Sequence, residues 1–158
     1  MRKLIYLLII SSVTLFACDR KSDMEKIEDY LQTNNLEATA TGSGLYYIIE
    51  QEGTGGHPNL QSNVTVRYKG YLLDGTVFDQ TPGSQTISFK LTEVIKGWQE
   101  AVPLLQKGGK GTFLIPSDLG YGSQRAGIIP PNSVLIFDIE LVERVFVFFK
   151  IGDREVLT

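Results

Sequence analysis

Two side chains in this sequence owe their chemistry to where they stand. Cys18 and His57 are each the only residue of their type. A lone cysteine has no internal disulfide partner, so Cys18 is read from its place at the end of an apolar run. His57 stands in a loop beside Gly55-Gly56 and Pro58. No Cys, His or carboxylate cluster surrounds it, so no metal is expected there, and no nucleophile is spaced for a hydrolytic triad. It reads as an exposed loop histidine. The other candidates are aromatic, with one acid. By periodicity alone Tyr68 and Phe137 are core aromatics. Trp98, at helical spacing with Ala101 and Leu105, is core as well, and Asp79 is a turn or cap residue.

The surroundings of Cys18 suggest export. Arg2 and Lys3 precede 13 uncharged, mostly apolar residues, 4–16, and then Ala17 and Cys18. A charged start, a short apolar stretch and a small residue at the cut form a secretory signal. The stretch is shorter than the ~20 residues of a spanning helix. Leu15-Phe16-Ala17-Cys18 resembles a bacterial lipobox, with Phe16 where a small residue is usual. The implied chain has a signal peptide at 1–17, a lipid on Cys18 as its membrane contact, and a place in a bacterial envelope facing the periplasm. Asp19-Arg20-Lys21 suits a membrane surface.

The elements that must position a site follow. The 158 residues suffice for one domain with a real core. A 42% apolar content fits a globular protein, and a net charge of −3 makes nucleic acid an improbable partner. Ser22-Asp23-Met24-Glu25 has the form of a capping box. Met24, Ile27 and Leu31 mark one side of a helix over 23–34, read as a spacer whose apolar stripe packs on its own domain. Residues 37–44 look like a flexible link, which completes a tether over 18–44.

A β-rich domain over 45–144 comes next. Residues 45–49 are β-prone, and Val64, Val66 and Tyr68 alternate with polar residues as a half-buried strand. Asp74-Gly75 signals a two-residue hairpin loop, with 76–78 returning and Thr76 opposite Leu73. Residues 86–89 alternate. A short helix over 97–105 contains Pro103. Residues 112–115 and 134–141 are further strands, the last with Leu135, Phe137, Ile139 and Leu141 on one face. The reading counts four or five strands and one good helix. Its fold class is α+β, an antiparallel sheet wrapped round a helix. Beyond it lies an extension, 145–158, whose apolar run 145–149 is expected to continue the last strand or pack beside it.

Several motifs then occur in a familiar order: Val66-Arg67-Tyr68-Lys69-Gly70, Asp74-Gly75-Thr76-Val77-Phe78-Asp79, Glu93-Val94-Ile95-Lys96-Gly97-Trp98, Tyr121-Gly122, Gly127-Ile128-Ile129-Pro130-Pro131-Asn132 and Leu135-Ile136-Phe137-Asp138-Ile139-Glu140-Leu141. Over 45–143 the chain resembles the FK506-binding-protein family, in the form of a bacterial lipoprotein. A short helix before one isomerase domain is a layout shared with members tied to gliding motility. The resemblance implies a curved antiparallel sheet around one short helix, and peptidyl-prolyl cis–trans isomerase activity on proline-containing polypeptides, without a cofactor. Its alternative is a non-catalytic module or chaperone that holds a proline segment at the envelope. The implied site is Tyr68, Phe78, Asp79, Ile95, Trp98, Tyr121 and Phe137, with Val94, Ile87, Phe89 and Ile128 binding substrate. The chain departs from the family pattern in three ways. Ile87 stands where an aromatic is common, the loops 80–85 and 123–126 are each one residue short, and the pocket aspartate has no arginine counterpart.

That chemistry suits such residues. Rotating an amide costs ~18–20 kcal/mol because resonance is broken. A site need only bind the twisted amide better than the planar ones. The twisted form is less polar, so an apolar aromatic box favours it. The implied roles are a floor for Trp98, walls for Tyr68, Phe78 and Phe137, and a side closed by Val94 and Ile95. Ile95 N–H and the Tyr121 hydroxyl hold carbonyls, while Asp79 assists by its charge or by holding Tyr68. One conflict follows from the hairpin. Phe78 and Tyr68 point to the same side only if the returning strand is irregular between Val77 and Thr81.

Overall fold

The structure, a computed structural model, describes residues 21–145, 149–151 and 154–156. The signal segment, Cys18 and residues 146–148 of the apolar run lie outside these. Helix α1 spans Asp23–Thr33, capped by Ser22. The capping box forms as expected. Ser22 Oγ accepts from Glu25 N–H at 3.3 Å, and Ser22 N–H donates to Glu25 Oε2 at 2.7 Å. Such a cap contributes about 1 kcal/mol.

Seven strands form one open antiparallel sheet. They are β1 (Thr39–Ala40), β2 (Tyr46–Gln51), β3 (Asn63–Leu72), β4 (Val77–Gln80), β5 (Ile87–Lys90), β6 (Lys110–Ile115) and β7 (Leu135–Val145). Their order is β1-β2-β6-β7-β3-β4, and β5 pairs with the other end of β3. The expected fold class holds, with more strands than the periodicity counted. Residues 37–44 are not a free link. Thr39 and Ala40 pair with Tyr47 and Tyr46, and Thr41 N–H donates to Leu45 O at 2.8 Å. Backbone pairing alone makes this edge, and composition carries no sign of it.

Alternation along the strands divides the buried side chains between two faces. On one face Val64, Val66, Phe113, Leu135, Phe137, Ile139 and Leu141 pack with Trp98 and Ala101 of helix α2, Lys96–Ala101. On the other, Tyr46, Leu114 and Ile136 receive Ile27 and Leu31 of α1. Met24, the third residue of the α1 stripe, stays exposed. Helix α2 lies close to β6 because Gly97 has no side chain, since a Cβ there would sit 2.4 Å from Ile115 Cγ2. The helix is shorter than expected. It ends at Ala101 and tightens into a 3₁₀ turn, Val102–Leu104, which takes in Pro103.

The β3–β4 hairpin differs from expectation in an informative way. Gly75, at φ +86°, donates to Leu72 O at 2.9 Å, and Leu72 N–H donates to Thr76 O at 3.0 Å. The loop is therefore Leu73-Asp74-Gly75, one residue longer than the dipeptide signal predicts. Thr76 faces Leu72 rather than Leu73. A bulge then restores the register, with Tyr71 opposite Val77 and Gly70 opposite Asp79. Phe78 is the extra residue, within the stretch where an irregularity is required. The described part of β7 runs to Val145, and Phe149 lies in a two-stranded sheet of β8 (Phe149–Ile151) and β9 (Arg154–Val156).

Candidate functional site

Three elements bring the aromatic residues together. Strand β3 supplies Tyr68, β7 supplies Phe137, and α2 sets Trp98 beneath them. The Trp98 ring crosses Tyr68 at a centroid distance of 5.0 Å and 86°, and Phe137 at 5.1 Å and 90°. Phe89 of β5 tilts against the same ring at 5.3 Å. Edge-to-face pairs such as these each add about 0.5–1.5 kcal/mol beyond area burial. Together they hold the indole with 5% of its surface exposed. It is the bottom of an open cavity of about 740 Å³, a size suited to a small-molecule or side-chain ligand.

The bulge turns Phe78 toward this cavity, where it meets Phe137 edge-on at 5.4 Å. Gly70 makes that contact possible. A Cβ at this position would lie 2.6 Å from the Phe78 ring and 2.7 Å from the Phe137 ring. Across the bulge Tyr68 donates its phenolic hydrogen to Asp79 Oδ2 at 2.5 Å. Burial, and then the Asp79 carboxylate, hold the Tyr68 phenol well above its ordinary range. The phenol therefore stays a proton donor at neutral pH. Among the described residues no lysine or arginine forms an ion pair with Asp79. Tyr68 occupies the carboxylate instead.

One side of the cavity is the segment leading into α2. Ile95 caps the helix with extended backbone, and its carbonyl accepts from Trp98 and Gln99 N–H at 3.0 and 3.2 Å. Val94 precedes it in extended conformation, outside the helix. The outer rim is the loop 117–132, from which exposed Tyr121 and Ile128 join the lining, and β5 adds exposed Ile87.

All eleven pocket residues expected from the sequence line this one cavity. Glu93, Ala126, Gly127 and buried Ile129 line it too. Glu93 and Ile129 lie in motifs already singled out, beside expected residues, but neither shows a pattern that separates it from its neighbours. Gly70 carries no side chain to notice; only the packing reveals its role. His57 lies elsewhere, exposed, with Nδ1 2.9 Å from Pro103 O. The cavity combines an apolar, buried floor with hydroxyl and carboxylate groups in its lining. It can shelter a small ring and address the polar groups beside it. The residues lining it include no serine, threonine, cysteine, lysine or histidine.

Comparison with known proteins gives a consistent result. The profile of the FKBP-type peptidyl-prolyl cis-trans isomerase family matches residues 55–142. The probable FKBP-type peptidyl-prolyl cis-trans isomerase FkpA of Neisseria meningitidis is 45% identical over 129 residues, 79% of this chain and 47% of that protein. A probable FKBP-type isomerase of Haemophilus influenzae is 47% identical over 109 residues, 68% of this chain and 45% of that protein. The chain thus spans less than half the length of these curated relatives. The crystal structure of FkpA from Escherichia coli superposes with a TM-score of 0.71 at 35% identity, covering 78% of this chain and 59% of that one. A peptidyl-prolyl cis-trans isomerase from Pseudomonas syringae gives 0.67 at 33% identity, covering 77% and 92%.

Proposed function

The chain belongs to the FKBP-type peptidyl-prolyl cis–trans isomerase family, and we propose that it accelerates rotation of X-Pro bonds in polypeptides. The observation that carries this reading is the Trp98 floor, crossed at about 5 Å by Tyr68 and Phe137 at the bottom of an open cavity. A prolyl ring placed on the indole displaces water from around its amide. The planar amide is the more polar form, so dehydration and apolar contact favour the twisted one. No proton moves and no covalent bond to the substrate forms. The Ile95 N–H and the Tyr121 hydroxyl hold substrate carbonyls. Asp79 keeps the Tyr68 ring in place through their hydrogen bond.

A protease-coupled assay on an X-Pro peptide tests this. The expected result is acceleration over buffer by the native chain, lost in a folded Trp98→Ala variant. A rate equal to buffer, or a variant as fast as the parent, would overturn the reading.

We place the protein at a bacterial cell envelope, anchored by a lipid on Cys18. Support comes from the charged start, the short apolar run and the lone cysteine at its end. Among the described residues no helix is long and apolar enough to cross a membrane. Growth with labelled palmitate should label the native chain and not Cys18→Ser. Equal labelling, or none in either, would remove the anchor from the proposal.

A further inference from the structure

The loop 117–132 brings Tyr121 and Ile128 to the cavity, and its base is stitched by three residues. Gly122 N–H donates to Ser117 O at 2.8 Å, and Asn132 N–H donates to Gly122 O at 2.8 Å. Tyr121 is the neighbour of the middle one. The loop loses entropy when it is held in one conformation. Gly122 and Gly127, at φ +59° and +58°, lie where glycine is unstrained but keeps its freedom to move, and Asn132 takes φ +57°. Contacts from outside the loop oppose that freedom.

Those contacts come from α1. Ser117 opens a short 3₁₀ turn, so its N–H has no partner within that turn, and the preceding Pro116 makes no side-chain cap. Ser117 is buried. Asp23 Oδ2, from the first turn of α1, accepts this N–H at 2.8 Å. A residue 94 positions upstream thus does what a cap residue does locally. Lys26 completes the arrangement. Its Nζ pairs with Asp23 Oδ1 at 2.6 Å and donates to Asn132 O at 3.4 Å. One helical turn therefore touches both ends of the loop base. The Asp23 side chain is only 17% exposed. Burial works against its charged form, yet the Lys26 ammonium and the Ser117 N–H outweigh that and keep the carboxyl below its ordinary range.

We infer that Asp23 and Lys26 are positioning residues: helix α1 clamps the base of the loop 117–132 and so fixes Tyr121 at the rim of the cavity. This makes α1 a working part of the site rather than a spacer before it. The inference rests on the cavity being where substrate binds. Its test has one readout independent of activity.

Asp23→Ala and Asp23→Asn are compared in the full chain, well below their melting temperatures. Hydrogen exchange should quicken in Asp23→Ala by at least about tenfold at Ser117, Gly122 and Asn132, the scale of losing a charge-assisted hydrogen bond. Amides of β3 and β7 should be unchanged. KM for an X-Pro peptide should rise several-fold, with kcat changing less. Asp23→Asn keeps an oxygen acceptor and should restore protection at Ser117. Unchanged loop exchange, equal quickening throughout the sheet, or a loosened loop with unaltered KM would each overturn the clamp. If the native chain shows no isomerase activity, the functional proposal fails on its own, and the exchange data still decide whether α1 holds the loop.

Discussion

The two faces of the central sheet use the same strands for opposite ends. On the face covered by α1, Leu114 and Ile136 are fully buried beneath Ile27, and the layer is closed. On the face covered by α2, the helix has six residues and the aromatic layer above Trp98 stays open. A closed face is finished by shape and contributes stability. An open face leaves part of its aromatic surface for a ligand. The length of the covering helix separates the two, together with a glycine on β3 that lets rings crowd where side chains would otherwise fill space.

The largest effect should come from the closed face. Leu114→Ala leaves a cavity where no neighbour can collapse fully, and should cost about 2–5 kcal/mol in chemical denaturation. Isomerase activity per folded molecule should be unchanged. A matching loss of activity would break the division between faces. Gly70→Ala should do the reverse. Its methyl displaces the Phe78 and Phe137 rings, costing about 1–3 kcal/mol. Activity should fall at least about tenfold, since small misplacements in a site are expensive. Retained activity would show that these two rings need not hold their places.

Tyr68→Phe asks how much the rim hydrogen bond matters. It leaves the ring and frees Asp79, which is exposed. The stability change should not exceed about 1 kcal/mol, and a several-fold drop in kcat/KM is expected. No kinetic change would remove Asp79 from the working site. The smallest effect concerns acid. The Asp23 carboxyl is lowered below 3.8 in the folded protein. Its contribution is fully present above that value and is lost as pH falls through the lower folded one. Acid unfolding followed by circular dichroism should therefore begin at higher pH in Asp23→Ala, by less than about one pH unit. Identical acid midpoints would place no stabilising charge at the α1–loop contact.

Much of this was legible in the residues. The capping box at Ser22 located α1 because capping is local. Alternation along 135–141 assigned the pocket-side layer because the strand period is fixed. The hairpin shows where legibility ends. Asp74-Gly75 marked the turn, but not its length, since both two- and three-residue loops accept a left-handed glycine. The longer loop alone would shift the register by one. The bulge at Phe78 cancels the shift, so Asp79 faces Gly70 as the shorter loop also required. Phe78 thus reaches the cavity through an irregularity that was needed on steric grounds and was placed by packing.

By itself the sequence determined most of the strands, the α1 cap, the sheet-around-helix class and the aromatic residues of the cavity. These depend on neighbours a few positions apart or on motifs that survive as strings. Only the tertiary structure decided that Gly70 is room for two rings, that residues 39–40 are a sheet edge, and that Asp23 caps Ser117. Each joins groups distant in sequence, or turns on the space a side chain does not fill, and chain-local spacing carries neither kind of information.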